Sequence, residues 1–276
     1  MQKSIFFIFF GLIFPSISLF AQVDSCVFMF KKHTIKSNSL NESREYWVSL
    51  PMHYSDTVQY PVIYLLDAEW RFNLVRNIEF DLAGNKKIKG HIIVGIPHID
   101  WELKRGIDLT FSHSRMEYDG EKVDSTWYNN KNSGGGLAFY EYLNTELIPD
   151  VEKNYNTNGE NTLIGHSYGG YFGGYILSMN HPFSTIHIYD PSIWFSDGEV
   201  IEKIKNGVPK QDKVKIFVSY QPVPEFHSGK IECFIEELKK HQCFELKYRK
   251  FEEETHNSLF MPSFLEGIRW TARLEE

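Results

Sequence analysis

Asn161-Thr162-Leu163-Ile164-Gly165-His166-Ser167-Tyr168-Gly169-Gly170-Tyr171-Phe172 reads as a short apolar strand, a tight turn carrying a serine between glycines, and the start of a helix. A serine on a sharp strand-to-helix turn projects its hydroxyl from the sheet edge, and Gly165 and Gly169 leave room for close backbone contact. The next backbone N–H, that of Tyr168, then points at the oxygen that turns negative when the serine attacks a carbonyl. This is the Gly-x-Ser-x-Gly nucleophile elbow. Tyr171, Ile176, Leu177 and Met179 follow with roughly helical spacing, the context the motif requires.

The elbow sits in a chain of 276 residues, 42% hydrophobic and 24% charged, which suits one α/β domain with a sizeable core. Ahead of that domain, Met1-Gln2-Lys3 leads into an apolar run from Ile5 to Phe14, then Pro15, Ser16 and Ser18 before Leu19-Phe20-Ala21-Gln22. A basic start, a short apolar stretch and a small residue at the end predict a secretory signal peptide over residues 1–21, cut after Ala21, with one folded domain over 22–276. An uncleaved anchor fits less well, because Pro15 and the serines leave fewer than the roughly 20 apolar residues a spanning helix needs. Cys26 follows no lipobox. The protein is therefore expected to be exported, periplasmic or secreted, with no stable membrane insertion after cleavage. A net charge of −7 argues against a nucleic-acid partner. Of the three cysteines, Cys233 and Cys243 are placed to bridge a helix to the following strand in an oxidising compartment; three separate thiols fit equally.

Outward from the elbow, Glu45 to Leu50 reads as a strand closed by Pro51, and Tyr60 to Asp67 is a nearly continuous apolar run of strand length. Such a run predicts a strand covered on both faces. His91 to Ile96 is the next strand. Thr110 to Gly136 turns polar, glycine-rich and aromatic without a period, and reads as a long loop or lid over the sheet's carboxyl end. Phe139, Leu143 and Leu147 then mark an amphipathic helix from Gly136 to Tyr155, with Pro149 expected to kink it. Beyond the elbow, Thr185 to Tyr189, Val214 to Tyr220 and Phe244 to Phe251 read as strands, Ile231 to Lys240 as a helix, and a last helix runs toward Arg273. The alternation predicts a doubly wound, mostly parallel α/β sheet with helices on both faces, and the serine elbow fits the α/β-hydrolase plan.

A serine hydroxyl needs a base, and the base an orienting acid. On this plan they follow in the order serine, acid, histidine. His181 closes the elbow helix and His187 falls inside a strand as a core histidine. His256, in the loop after the last strand, stands where the base belongs. The loop after Tyr220 holds one carboxylate, Glu225, which is taken as the acid; Asp212 and Glu232 lie before and beyond that place. The second oxyanion donor should come from the backbone after Asp67, at Glu69 or Trp70.

With these residues in view the chain resembles the esterase family of α/β hydrolases that includes the enterochelin and salmochelin esterases, the feruloyl esterases and the mycolyltransferases of the antigen 85 group. The resemblance runs through Tyr60 to Asp67, Arg105-Gly106-Ile107-Asp108-Leu109-Thr110, Ser133 to Gly136 with Phe139, Glu146-Leu147-Ile148-Pro149, the elbow, and Pro191-Ser192-Ile193-Trp194. It implies a Ser167, Glu225, His256 triad with oxyanion N–H groups at Tyr168 and Glu69. Ala68 departs from the family's usual glycine, and Gln221-Pro222-Val223-Pro224 replaces the expected Gly-x-x-Glu lead to the acid.

No His-Glu-x-x-His or paired Cys-x-x-Cys suggests a metal, Gly134 to Phe139 lacks the last glycine of a dinucleotide fingerprint, and no cofactor is implied. Trp70, His98 and Arg105 are candidates to bind substrate; for Arg105 the plainer expectation is a salt bridge to Asp108. The function these residues indicate is a serine esterase working through an acyl-enzyme on a small-molecule ester, for which the resemblance implies a siderophore ester or an acylated glycan. An acyltransferase and a non-catalytic binding protein on the same scaffold are the alternatives.

Overall fold

The computed structural model describes residues 30–98, 100–101, 103–210 and 213–274. The expected signal peptide, Cys26 and Asp212 lie outside the described residues.

One sheet of eight strands runs through the molecule in the order β1-β2-β4-β3-β5-β6-β7-β8. The strands are β1 (Lys31–Ser37), β2 (Glu42–Ser49), β3 (Tyr60–Leu66), β4 (Ile92–Ile96), β5 (Thr157–His166), β6 (Thr185–Tyr189), β7 (Val214–Tyr220) and β8 (Phe244–Lys250). β2 pairs antiparallel with β1 and β4, and every other pairing is parallel. The doubly wound sheet expected from the alternation is present, and with it the α/β-hydrolase fold expected from the elbow and the resemblance.

The continuous apolar run of β3 is explained by its two faces. Ile63 and Leu65 join Phe72 and Val75 of α1 (Ala68–Gly84) and Phe264 and Ile268 of α8 (Phe260–Thr271). Val62, Tyr64 and Leu66 point the other way, into a larger core with Phe139 of α3 (Gly136–Tyr142), Val151 of α4 (Ile148–Asn154), Phe172 of α5 (Tyr168–Ile176) and Phe234 of α7 (Glu225–Leu238). Strand side chains alternate between faces, so burying both makes every position apolar.

Three features depart from the sequence reading. β1, α1, α2 (Lys104–Leu109) and α6 (Glu199–Lys205) were not anticipated; β1 is a half-exposed edge strand, α2 and α6 are two turns or less, and the longer α1 buries Arg76 and Glu79 among its apolar residues, which breaks its apolar period. α7 begins six residues earlier than Ile231. The expected kink at Pro149 takes the form of a π turn at Leu143–Leu147, which absorbs the proline, now in the first turn of α4. The stretch between Thr110 and Gly136 does form a long loop, pinned internally by Ser133, Asn129 and Thr110. Cys233 and Cys243 are separate thiols. Among the described residues no helix is long and apolar enough to cross a membrane.

Candidate active site

The carboxyl ends of β3, β5, β6 and β7 open on one side of the sheet, and the site is built from the residues that leave them. Ser167 follows β5 with φ 60° and ψ −118°, a conformation costly for a side chain bearing a Cβ. The turn is held by Ser167 N–H donating to the Tyr189 carbonyl and by Ser192 N–H donating to that of Ser167. A Cβ on Gly165 would lie 2.2 Å from the Gly169 carbonyl oxygen, which is why the motif opens on glycine: strand and helix backbones touch there.

Tyr168 is the first residue of α5 and Glu69 the second of α1, so the N–H of each belongs to a first turn, where no carbonyl precedes it to accept. The two helix starts adjoin, since a Cβ on Gly169 would sit 3.5 Å from Asp67. The geometry brings both expected oxyanion donors to one end of the sheet. Glu69's own carboxyl is raised above its usual range by burial.

His256 lies in the loop between β8 and α8. Its Nδ1 stands 2.6 Å from Asp190 Oδ2, so the carboxylate facing His256 is Asp190, not Glu225. Asp190 leaves β6 rather than β7, at φ 38° and fully buried. Its Oδ1 accepts the Gln221 N–H at 3.1 Å and lies 3.1 Å from His227 Nε2. Burial would raise the Asp190 carboxyl, but His227 and His256 hold it well below the usual carboxylate range. Glu225 is exposed and opens α7, where its charge faces the positive end of the helix. The sequence did carry a signal for Asp190: a carboxylate directly after a buried strand, with a non-acidic Gln221 after β7.

His166, inside the elbow, was also passed over. Its Nε2 is 2.6 Å from the His256 carbonyl oxygen, and burial with the neighbouring His256 pushes its pKa down to about 3, so the ring is neutral and its N–H ties the histidine loop to the serine turn.

The substrate-binding candidates separate. His98 is buried, with Nδ1 3.0 Å from Asp108 and Nε2 3.4 Å from Asp67; burial opposes its charge, but the two carboxylates push its pKa up to about 9. It is therefore a charged bridge beneath the site and does not face a ligand. Arg105 pairs with Asp67 at 2.6 and 2.9 Å and donates to the His166 carbonyl, while Asp108, its expected partner, is taken by Arg44. Trp70 stays half exposed, edge-on to Trp101 and beside Arg105. His187 is the satisfied core histidine expected, between Tyr189 and Thr271.

A cavity of about 490 Å³ holds Ser167 and His256 in its lining. Tyr118, Tyr168 and Trp194 give it aromatic walls, and Gln221, His227 and Glu254 are among its polar positions. Tyr118 comes from the long loop, and Tyr128 of that loop lies 3.3 Å, hydroxyl to hydroxyl, from Tyr168. The loop is a wall of the cavity. Asp190, His227 and His256 are the one grouping of donors close enough to hold a metal among the described residues.

Known proteins resemble this chain in sequence and fold. The chain is 26% identical over 216 residues to the ferri-bacillibactin esterase BesA of Bacillus subtilis (strain 168), covering 73% of each. An IroE-like serine hydrolase from Shewanella oneidensis superposes with a TM-score of 0.77 at 28% identity, over 88% of this chain and 79% of the other. The BES protein from Bacillus cereus gives 0.75 at 24%, over 89% and 96%. The sequence profile of the family described as Putative esterase matches residues 37–182, from the end of β1 through the elbow helix, and the chain belongs to that family of carboxylic ester hydrolases.

Proposed function

We propose that this chain is an exported serine esterase that hydrolyses a siderophore-type carboxylic ester through an acyl-enzyme, with Ser167, His256 and Asp190 as its triad. The observation that carries the reading is the shared cavity: Ser167 on its strained turn and His256 with Nδ1 committed to Asp190 both line it. With the proton on Nδ1, Nε2 carries the lone pair. It takes the Ser167 proton as Oγ attacks the ester carbonyl, and Asp190 balances the imidazolium that forms. The N–H groups of Tyr168 and Glu69 receive the developing oxyanion. His256 then returns its proton to the leaving alkoxide, and water repeats the sequence on the acyl-Ser167 ester. No step uses a cofactor.

The siderophore class rests on the relatives named above and on the aromatic walls, which suit a hydroxylated aromatic acyl group. Export rests on residues 1–21, with a mature start at Gln22 that N-terminal sequencing of protein from the native host would find. Ser167→Ala should lower hydrolysis of a catecholate trilactone by several orders of magnitude and abolish labelling by a fluorophosphonate. Turnover near wild type in that variant, or no turnover by the wild type across siderophore, feruloyl, acetyl-sugar and short acyl esters, would overturn the reading.

A further inference from the structure

We propose that Asp190, His227 and His256 form a binding site for one divalent transition-metal ion, and that occupancy switches hydrolysis off. The switching half rests on the esterase reading above; the site itself does not. One carboxylate oxygen and one ring nitrogen from each histidine lie within 4.8 Å of one another. His227 is the observation that calls for a ligand. It is 3% exposed, on α7, and neither ring nitrogen has a hydrogen-bond partner. Its Nε2 comes within 3.1 Å of Asp190 Oδ1 but off the line of a hydrogen bond. A buried imidazole whose Nε2 has only that off-line contact and whose Nδ1 has no hydrogen bond is poorly satisfied, a deficit that a metal ion at Nε2 would partly fill.

The donor set of two imidazoles and one carboxylate is that of an open tetrahedral zinc site, with a cavity water as fourth ligand. Ligand bonds of about 2.0–2.2 Å place the donors of such a site roughly 3.4 Å apart. His227 Nε2 is already near that distance from Asp190 Oδ1, while His256 meets the other oxygen of the same carboxylate, Oδ2. The 2.6 Å contact between His256 and Asp190 must open by under an ångström, and His256 is the member free to yield: its side chain is 41% exposed, in a loop, facing the cavity.

The consequence for chemistry follows from the tautomer. In the metal-free site the single proton of neutral His256 is on Nδ1, against Asp190. A metal ion at Nδ1 moves that proton to Nε2, which then has no lone pair to receive the Ser167 proton. Affinity should follow the usual order for nitrogen donors, with Cu2+ and Zn2+ above Co2+, and Mg2+ and Ca2+ without effect.

The test uses tag-free protein carrying Ser167→Ala, so that binding is read without turnover, titrated with Co2+ by its visible absorption and with Zn2+ by calorimetry. One equivalent per chain is expected. His227→Gln and, independently, the loop variant His256→Asn should each weaken it by at least the ~10–100-fold that loss of a mere supporting contact costs. In the wild type, Zn2+ should block fluorophosphonate labelling and a chelator restore it. Absence of stoichiometric binding, or binding unchanged in both variants, overturns the site; labelling that proceeds at full rate with Zn2+ bound overturns the switch. If metal-free wild type neither labels nor turns over, the esterase reading falls while the titrations still decide the site.

Discussion

Asp67 and Asp190 occupy matching places and do different work. Each is the first residue beyond a central parallel strand, β3 or β6, each has a positive φ (55° and 38°), and each is buried. Both carboxyls are held well below their usual range against the cost of burial. They differ in partners. Asp67 is held by Arg105, which keeps its charge at any working pH, and by His98, itself locked on Asp108. Arg44, Asp108, His98, Asp67 and Arg105 thus form one chain of alternating charge, and Arg105 passes it to the His166 carbonyl beside the serine. Asp190 instead faces two imidazoles, one of them half exposed in a cavity. A buried carboxylate with permanent cations fixes a backbone, whereas the same carboxylate against a solvent-facing imidazole can steer a proton.

The sharpest break of that comparison is Asp190→Asn. It keeps the shape and removes the charge that orients His256, so kcat should fall by roughly 10²–10⁴-fold with a smaller change in KM. Steady-state kinetics on a soluble aryl ester would read it, and a kcat within threefold of wild type would mean that His256 works without a carboxylate.

Asp67→Asn should act first on stability. Removing one member of a buried ion pair strands the others, at a typical cost of about 3–5 kcal/mol. Denaturant unfolding measures it, and a loss under 1 kcal/mol would show that the chain of charges is not a structural brace.

The charge on His98 sharpens the contrast by pH. Its pKa is raised from an ordinary value near 6.5 to about 9, so the stability it contributes is complete below about 6.5 and is lost as pH rises through about 9. The Tm advantage of wild type over His98→Asn should therefore be largest at pH 6 and gone by pH 10. An advantage that does not shrink over that range would mean His98 is neutral in the folded protein.

How far the sequence carried the reading depends on what signal each part emits. The core strands were legible because burial on two faces leaves unbroken apolar runs, as at Tyr60 to Leu66 and Val214 to Tyr220. Ser167 announced itself because the turn demands glycine at 165, where strand and helix touch. That His256 lines the same cavity as Ser167 was legible from its place after the last strand. The carboxylate that faces this histidine was not, because chain order alone does not say which strand supplies it: the ends of β6 and β7 lie side by side, and only the packing shows that His256 meets Asp190. Edge strand β1 and the short helices α2 and α6 gave too few turns or too little burial to impose a period. His98 and Arg105 looked like groups reaching for a ligand because a sequence does not show that Asp67 and Asp108 meet them first.

The smallest expected effect falls on Glu225, and it tests the comparison from the other side. Glu225 lies one loop from the site in sequence and shares the chemistry of Asp190, yet it is exposed at the start of α7. A charge there interacts with the helix terminus and with water. Glu225→Gln should cost about 0.3–1 kcal/mol of stability through the helix dipole, and leave kcat and KM within error of wild type. Added salt should shrink even that loss, since an exposed charge is screened. A kcat lower by tenfold or more, at unchanged stability, would return the orienting role to Glu225 and make Asp190 the structural twin of Asp67.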